Sequence, residues 1–173
     1  NLQRRGSCKD GCGTTYYPRS QKIAYIGDCT YESRYVGYYQ TLLTHHIPFD
    51  YRHVHPSSQT EEEGARIMND ILKEEDPPTA IFCANDCTAL GVLRSLNKCR
   101  RKNYLPSVIA IDNIRKSAKT SPMLTTIDIP KQELAHFALL LLLDQQKKAH
   151  KECVRIELPC RLIERESCTY APC

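Results

Sequence analysis

Polar side chains follow four successive apolar segments of this chain, each close to the point where the segment ends. Asp28 and Arg34 follow the first, Ser57 to Gln59 the second, Asn85 the third and Asp112 the fourth. If the segments are parallel strands, their carboxyl ends meet at one edge of a sheet, where open α/β folds bind ligands. A guanidinium, amides and carboxylates suit hydroxyl groups, which both donate and accept. The spacing predicts a binding site for a small polar molecule.

The residues that could carry catalysis or hold a metal do not form a recognisable set. None of the six histidines is spaced with a carboxylate and a nucleophile. Cys83 falls in a predicted buried strand, where burial raises the pKa of a thiol and makes it a poor nucleophile. For His53 and His55 we favour a solvated strand edge over a metal or catalytic role. We therefore expect no enzyme, no metal site and no cofactor.

Composition narrows the class of protein. The 173 residues, 25% charged and 41% hydrophobic, fit one globular domain with a substantial core. The net charge of +4 is mild, and no basic stripe or zinc-finger spacing predicts contact of this chain with nucleic acid. The longest apolar run, Phe137 to Leu143, is too short to span a bilayer.

Ten cysteines leave the redox state open. Several fall in or beside predicted core elements, and no C-x-x-C pair occurs. We interpret most of them as reduced thiols of a cytosolic protein, with a disulfide framework as the alternative. A zinc site at Cys8 and Cys12 is weaker still, because no second ligand pair is present.

The chain is organised around a short buried strand, Thr79 to Cys83, that breaks at Asn85 and Asp86 and continues as a helix. Either of these two residues can cap that helix. Thr60 and Glu63 form a capping box before another helix, and Ser33 can cap a third. Further strands are predicted at residues 23–26, 51–55, 108–111, 124–129 and 154–158, with 161–165 as a possible continuation, and a last helix runs from 131 to about 148.

Alternating strands and helices predict an α/β fold, a parallel sheet with helices on both faces. Right-handed crossovers then bring the carboxyl ends of all strands to one edge. Residues 1–20 are polar and glycine-rich, without period, and are predicted to be an irregular N-terminal segment.

Seven segments of the chain carry a family resemblance. They are KIAYIGD at Lys22, SRYVGYYQTLL at Ser33, TEEEGARIMNDIL at Thr60, PPTAIFCANDCTALGVLRSL at Pro77, VIAIDNI at Val108, SPMLTTIDIPKQELAHFALLLLL at Ser121 and IELPCRLIERESC at Ile156. In this order and spacing, over roughly residues 20–168, they resemble the effector-binding domain of LacI/GalR-family transcriptional regulators, which has a periplasmic-binding-protein-like, Rossmann-like fold.

The resemblance implies an effector-binding domain over residues 21–173 that is built from two subdomains. It assigns 23–27 and 125–148 to the first subdomain and 28–124 and 154–165 to the second. It also implies that most of the first subdomain and the helix-turn-helix headpiece are absent from this chain. The implied protein is a cytoplasmic sensor that binds a sugar or sugar derivative and controls operator DNA through the headpiece. The alternative is a periplasmic sugar-binding protein of a transport system.

The resemblance further implies five effector-binding residues. Arg34 matches a ligand-binding arginine in an R-x-x-G step, with a surface arginine as the alternative. Asn85 and Asp112 match positions that face the cleft, although both could simply cap local structure. Phe82 matches an aromatic that stacks on ligands or is plain core, and Gln59 lies near another cleft position. For Asp86 we favour local capping.

The predicted helix from Lys131 to Lys148 carries apolar residues on nearly every side from Leu134 to Leu143. A helix on a sheet needs only one apolar stripe, so this one must be covered on more than one side. We expect a homodimer, or contact with a segment outside this chain, to bury Leu139 to Leu143.

Overall fold

The computed structural model describes residues 8–9, 15–16, 22–30, 32–99, 104–147 and 152–168. Its strands are β1 (Cys8–Lys9), β2 (Thr15–Tyr16), β3 (Ile23–Gly27), β4 (Val54–Pro56), β5 (Ala80–Cys83), β6 (Ser107–Ile111), β7 (Thr125–Asp128) and β8 (Arg161–Ile163). Its α-helices are α1 (Ser33–Thr44), α2 (Glu61–Ile71), α3 (Asp86–Lys98) and α4 (Lys131–Gln146). Within residues 1–20, β1 and β2 pair antiparallel. The rest of that segment, including Cys12 of the suggested zinc pair, lies outside the described residues.

Six strands form one sheet in the order β4-β3-β5-β6-β7-β8. The five strands from β4 to β7 are parallel, which confirms the predicted fold class, whereas β8 runs antiparallel to β7. The prediction of a strand at 154–158 was wrong, whereas the suggested continuation over 161–165 was right in part, because Arg161–Ile163 forms β8. The antiparallel β8 also means that not every carboxyl end lies on the same edge.

The sheet bears on the proposed division into subdomains. Strand β3, assigned to the first subdomain, lies between β4 and β5, and β7 pairs with β6. Ladder hydrogen bonds thus join segments that the resemblance had placed apart. Within the described residues these strands form one sheet. The division of the chain into two subdomains stays a prediction.

The two faces of the sheet carry separate apolar clusters. On one face Ala24, Ile81 and Val108 are fully buried under α2 and α3. On the other face Tyr25 packs against Tyr38 and Leu42 of α1. Since side chains alternate along a strand, β3 and β5 contribute to both clusters, and helices on both faces hold the carboxyl edge rigidly.

The predicted N-cap residues of the helices were confirmed in part. Thr60 Oγ1 accepts from the Glu63 N–H at 3.2 Å, as the capping box predicted. Asn85 caps α3 by accepting from the Thr88 N–H at 2.9 Å. Ser33 was wrong as a cap: it is the first residue of α1, and Glu32 occupies the cap position without a side-chain cap bond. The predicted strand over 51–55 begins instead as a short 3-10 helix, 51–53, followed by β4.

Helix α4 stands apart from the other helices, because none of its 16 residues is buried. Leu139 and Leu142 are 55% and 53% exposed. The expectation that this helix carries more apolar surface than the chain covers is therefore confirmed. Within the described ranges, no helix has the length and apolarity needed to cross a membrane.

Candidate functional site

Four of the five residues predicted to bind an effector come to the carboxyl edge of the sheet. Arg34 lies in the first turn of α1, which follows β3, and Gln59 follows β4. Asn85 directly follows Ala84 after β5, and Asp112 is the first residue after β6. All four are partly buried, so each side chain retains a face toward solvent. Whether they contact a ligand stays a prediction.

Arg34 is held by a network that the sequence analysis did not include. Its Nη1 donates to Glu32 Oε1 at 2.5 Å and to Gln59 Oε1 at 3.3 Å. Glu32 Oε2 accepts from the Tyr25 hydroxyl at 3.3 Å, and burial together with the Glu32 charge raises the pKa of Tyr25. The bonds found among the described residues all use Nη1, which leaves Nε and Nη2 of Arg34 for a ligand.

Glu32 and Tyr25 are thus residues that the sequence analysis missed. A glutamate two positions before an arginine at a helix start is a local signal that could have suggested the ion pair. Tyr25 had no comparable signal, because it sits in an apolar strand and its contact with Glu32 depends on the tertiary structure.

Asn85 is occupied by protein contacts on both ends of its amide. Its Oδ1 accepts from the backbone and the hydroxyl of Thr88, at 2.9 and 2.8 Å. Its Nδ2 donates to the Gln59 carbonyl at 3.0 Å. The capping alternative therefore describes the contacts of Asn85 in this structure. Both lone pairs of Oδ1 are used, so the side chain offers a ligand only its second Nδ2 N–H.

Asp112 offers a carboxylate next to the charge of Arg34. Burial raises the pKa of Asp112, and the nearby Arg34 guanidinium opposes that shift. The backbone here has φ of 117° at Asp112 and 49° at Asn113, while Gln59 has 62°. Non-glycine residues with positive φ store about 1–3 kcal/mol each and often cluster at functional sites.

Phe82 does not reach this polar edge as an isolated stacking platform. It lies within β5, and its ring packs edge-on against Tyr25 with centroids 5.5 Å apart. It belongs to the cluster under α1 and is partly buried. The described contacts thus correspond to the core alternative, with a remaining exposed fraction that a ligand could cover.

Asp86 was expected to cap α3, and this was wrong, because Asn85 takes that position. The Asp86 carboxylate is fully buried and accepts instead from the Ile114 N–H after the Asp112 turn and from the Thr126 hydroxyl of β7. An open groove of about 560 Å³ runs along the ends of β3 and β4, lined by Asp28, Cys29 and Gln59 among others, and Gln59 is the one predicted effector-binding residue in its lining.

His53 and His55 were expected at a solvated edge, and this was wrong. Strand β4 is an edge strand, but His53 is only 9% exposed. His53 Nδ1 and His55 Nε2 are buried without a hydrogen-bond partner among the described residues. Burial and the neighbouring His53 lower the pKa of His55. No group of three or more potential metal ligands occurs within the described ranges.

The cysteines whose positions are described include free thiols at Cys29, Cys83, Cys87, Cys153, Cys160 and Cys168. Complete burial raises the pKa of Cys83, as expected for a strand residue in apolar surroundings.

Comparison with known proteins adds a family to this geometry. Residues 19–168 match the periplasmic binding protein-like domain. The chain is 34% identical over 140 residues to the HTH-type transcriptional repressor PurR of Photorhabdus laumondii. That match covers 80% of this chain but only 41% of the repressor.

Solved structures of transcriptional regulators have a similar fold. A LacI-family regulator from Enterococcus faecium with bound ribose is 28% identical, with a TM-score of 0.74, and the match covers 88% of this chain and 58% of that one. The transcriptional regulator CelR in complex with cellobiose is 26% identical, with a TM-score of 0.76, over 86% of this chain and 47% of that one. This chain belongs to the periplasmic binding protein-like domain family, in the form of the effector-binding domain of LacI/GalR-type transcriptional regulators.

Proposed function

We propose that this chain is the sensor part of a transcriptional regulator and binds a small polyhydroxylated effector at the carboxyl edge of its sheet. The observation that carries the proposal is that Arg34, held by Glu32 and Gln59, and Asp112 both lie at that edge. Among the described residues the guanidinium donates only through Nη1, so Nε and Nη2 are available as donors. The Asp112 carboxylate is an acceptor, and the charge of Arg34 acts to lower its pKa against the effect of burial. Together they can hold neighbouring hydroxyls of a ligand in a fixed orientation.

A sugar or sugar derivative is the effector class we favour. Relatives of the same fold carry ribose in one structure and cellobiose in another. Sugar hydroxyls both donate and accept, which fits a site made of a guanidinium, amides and a carboxylate. Gln59 would add to the site through the Oε1 lone pair and the Nε2 N–H that its bonds to Arg34 and Glu32 leave open, and Asn85 through its second N–H.

The readout would be DNA binding by a helix-turn-helix domain elsewhere in a longer, cytoplasmic protein. The chain spans about two fifths of the length of the PurR repressor that it matches. An effector can shift the regulator between two states only by binding one of them more tightly. A pair of such chains, associated through α4, would form the homodimer. The similarity to repressors favours this role over a periplasmic transport protein, and it involves no catalytic step.

Calorimetry on the full-length protein with D-ribose and with cellobiose tests the proposal. Arg34→Ala and Asp112→Ala should each weaken binding by roughly ten- to hundredfold, since a hydrogen bond to a charged group contributes about 1.5–3 kcal/mol. Arg66→Ala and Asp70→Ala are matched controls, because these residues form an exposed ion pair on α2 away from the edge. Unchanged affinity in both site variants would remove Arg34 and Asp112 from the site.

A further inference from the structure

The side chain of Asp86 is a buried charge-bearing group for which the proposed function has no direct use. It is the first residue of α3 and is 0% exposed. Its Oδ2 accepts from the Ile114 N–H at 2.9 Å and from the Ser117 hydroxyl. Its Oδ1 accepts from the Thr126 hydroxyl at 2.6 Å. One carboxylate therefore joins α3, the turn after β6, the 3-10 helix 117–119 and β7.

The segment that Asp86 holds contains the strained backbone of the site. Ile114 is two residues beyond Asp112, and both Asp112 and Asn113 have positive φ. Such conformations persist only where the surroundings over-determine them. A second clamp acts from the other side, where the Asn113 amide donates to Asp128 Oδ1 at 2.9 Å and accepts from Arg165 Nη2 at 2.8 Å.

An ordinary role at the helix start does not account for these contacts. Asn85 already caps α3, and the hydrogen bonds of the Asp86 carboxylate lead out of the helix to three other segments. Burying a carboxylate is unfavourable unless every oxygen is well bonded, and a well-packed apolar side chain is often as stable. The arrangement is better explained by what it orients than by the stability it adds.

We propose that Asp86 is a positioning residue of the effector site, a buried clamp that holds the Asp112 turn in the conformation that accepts a ligand. This rests on the proposed function, because the affinity gained depends on Asp112 contacting the effector. The clamp itself does not touch the ligand. Loss of the Asp86 hydrogen bonds would release the Asp112 turn. The affinity for the effector would then fall only because Asp112 is no longer held in place.

Ser117→Ala tests the clamp, with Ser95→Ala as a matched control. Both serines are buried, at 0% and 5% exposure, and both hydroxyls make a buried hydrogen bond, that of Ser95 to the Ala65 carbonyl at 3.1 Å. Of the two serines, only Ser117 donates a hydrogen bond to Asp86. Thr126→Val removes the other hydroxyl that donates to Asp86. The same effect in both variants would show that it comes from the Asp86 clamp and not from one substitution.

Amide hydrogen exchange on the full-length protein gives the first readout. Ser117→Ala should speed exchange over residues 112–117 by about tenfold, as one bond to a charged group is lost, and leave α2 and α3 unchanged. Ser95→Ala should leave 112–117 unchanged. Exchange that rises equally across α2 and α3 would make Asp86 a general fold residue and overturn the proposal, as would no change over 112–117.

D-ribose affinity gives the second readout. Ser117→Ala should weaken binding several-fold, Ser95→Ala should not, and Ser117→Ala should add nothing in an Asp112→Ala background. Full additivity of the two changes would contradict a role through Asp112. If the wild-type protein binds neither D-ribose nor cellobiose, the proposed function fails, and the exchange experiment alone decides whether Asp86 holds the turn.

Discussion

Gly91 is the position where one added methyl group should harm both the fold and the site. It lies in α3 against the backbone of α2, and a Cβ built there would be 1.9 Å from the Glu61 carbonyl oxygen and 2.7 Å from the Ala65 nitrogen. Cβ contacts under 3.0 Å are essentially never seen, so the helices would have to separate by about 1.1 Å. Since the obstacle is backbone, no rotamer change can relieve it.

The magnitude follows from two opposing terms. Alanine is better than glycine in a helix interior by about 1 kcal/mol. A gap approaching 1 Å forfeits up to about half of each dispersion contact across the interface, and overpacking costs about 3 kcal/mol at its usual upper end. We expect Gly91→Ala to lower the free energy of unfolding by about 2 kcal/mol, which is about 4–8 °C in Tm for a domain of this size.

Gly37 provides the control, because a Cβ there meets nothing within 4 Å. Gly37→Ala makes the same chemical change in the interior of α1 and should raise stability by about 1 kcal/mol. Urea unfolding of both variants measures the difference. If Gly91→Ala were as stable as Gly37→Ala, the close approach of α2 and α3 would not exist in solution.

The same variant reports on the site. Asn85 caps α3, and its Nδ2 donates at 3.0 Å to the carbonyl of Gln59, which lies just before α2. Displacing α3 from α2 should stretch this bond, so Gly91→Ala should also weaken effector binding, whereas Gly37→Ala should not. Calorimetry below the unfolding transition separates the two effects.

Three further predictions concern other parts of the molecule. Because burial lowers the pKa of His55, the unfolded chain binds more protons than the folded one as pH falls below 6.5. Stability should therefore fall between pH 7 and pH 5, and His55→Gln should flatten the fall measured by thermal unfolding; an equally steep fall would assign it to carboxylates. Leu140 and Leu143, 47% and 44% exposed, should mediate association, so Leu140→Glu with Leu143→Glu should shift light scattering from dimer to monomer; a clean monomer before the change would contradict this. Gln59→Gly and Gln59→Ala both lose the side-chain bonds to Arg34 and Glu32 and should weaken effector affinity, but only glycine relieves the positive φ of 62°, so Gln59→Gly should be the more stable of the two by about 1 kcal/mol; equal stability in urea unfolding would refute the strain.

The strands and helices of this protein were predictable because their signals are local. Short apolar runs bounded by polar residues defined β3, β5 and β6 to within one or two residues. The Thr60 cap and the Asn85 cap act on backbone groups three residues away, so sequence alone can specify them. The positions of Arg34 and Asp112 after apolar runs could also be read from the sequence. The resemblance added only their ligand-binding roles, which stay predictions.

Other features depended on which segments meet in space. Nothing local to Asp86 indicates that its carboxylate reaches Thr126, 40 residues away, instead of capping its own helix. The burial of His53 and the antiparallel direction of β8 are likewise settled by neighbours distant in sequence. Sequence patterns determine hydrogen bonds and burial within an element. The partners of a polar side chain at the edge of the sheet are decided only when the crossovers bring separate strand ends together.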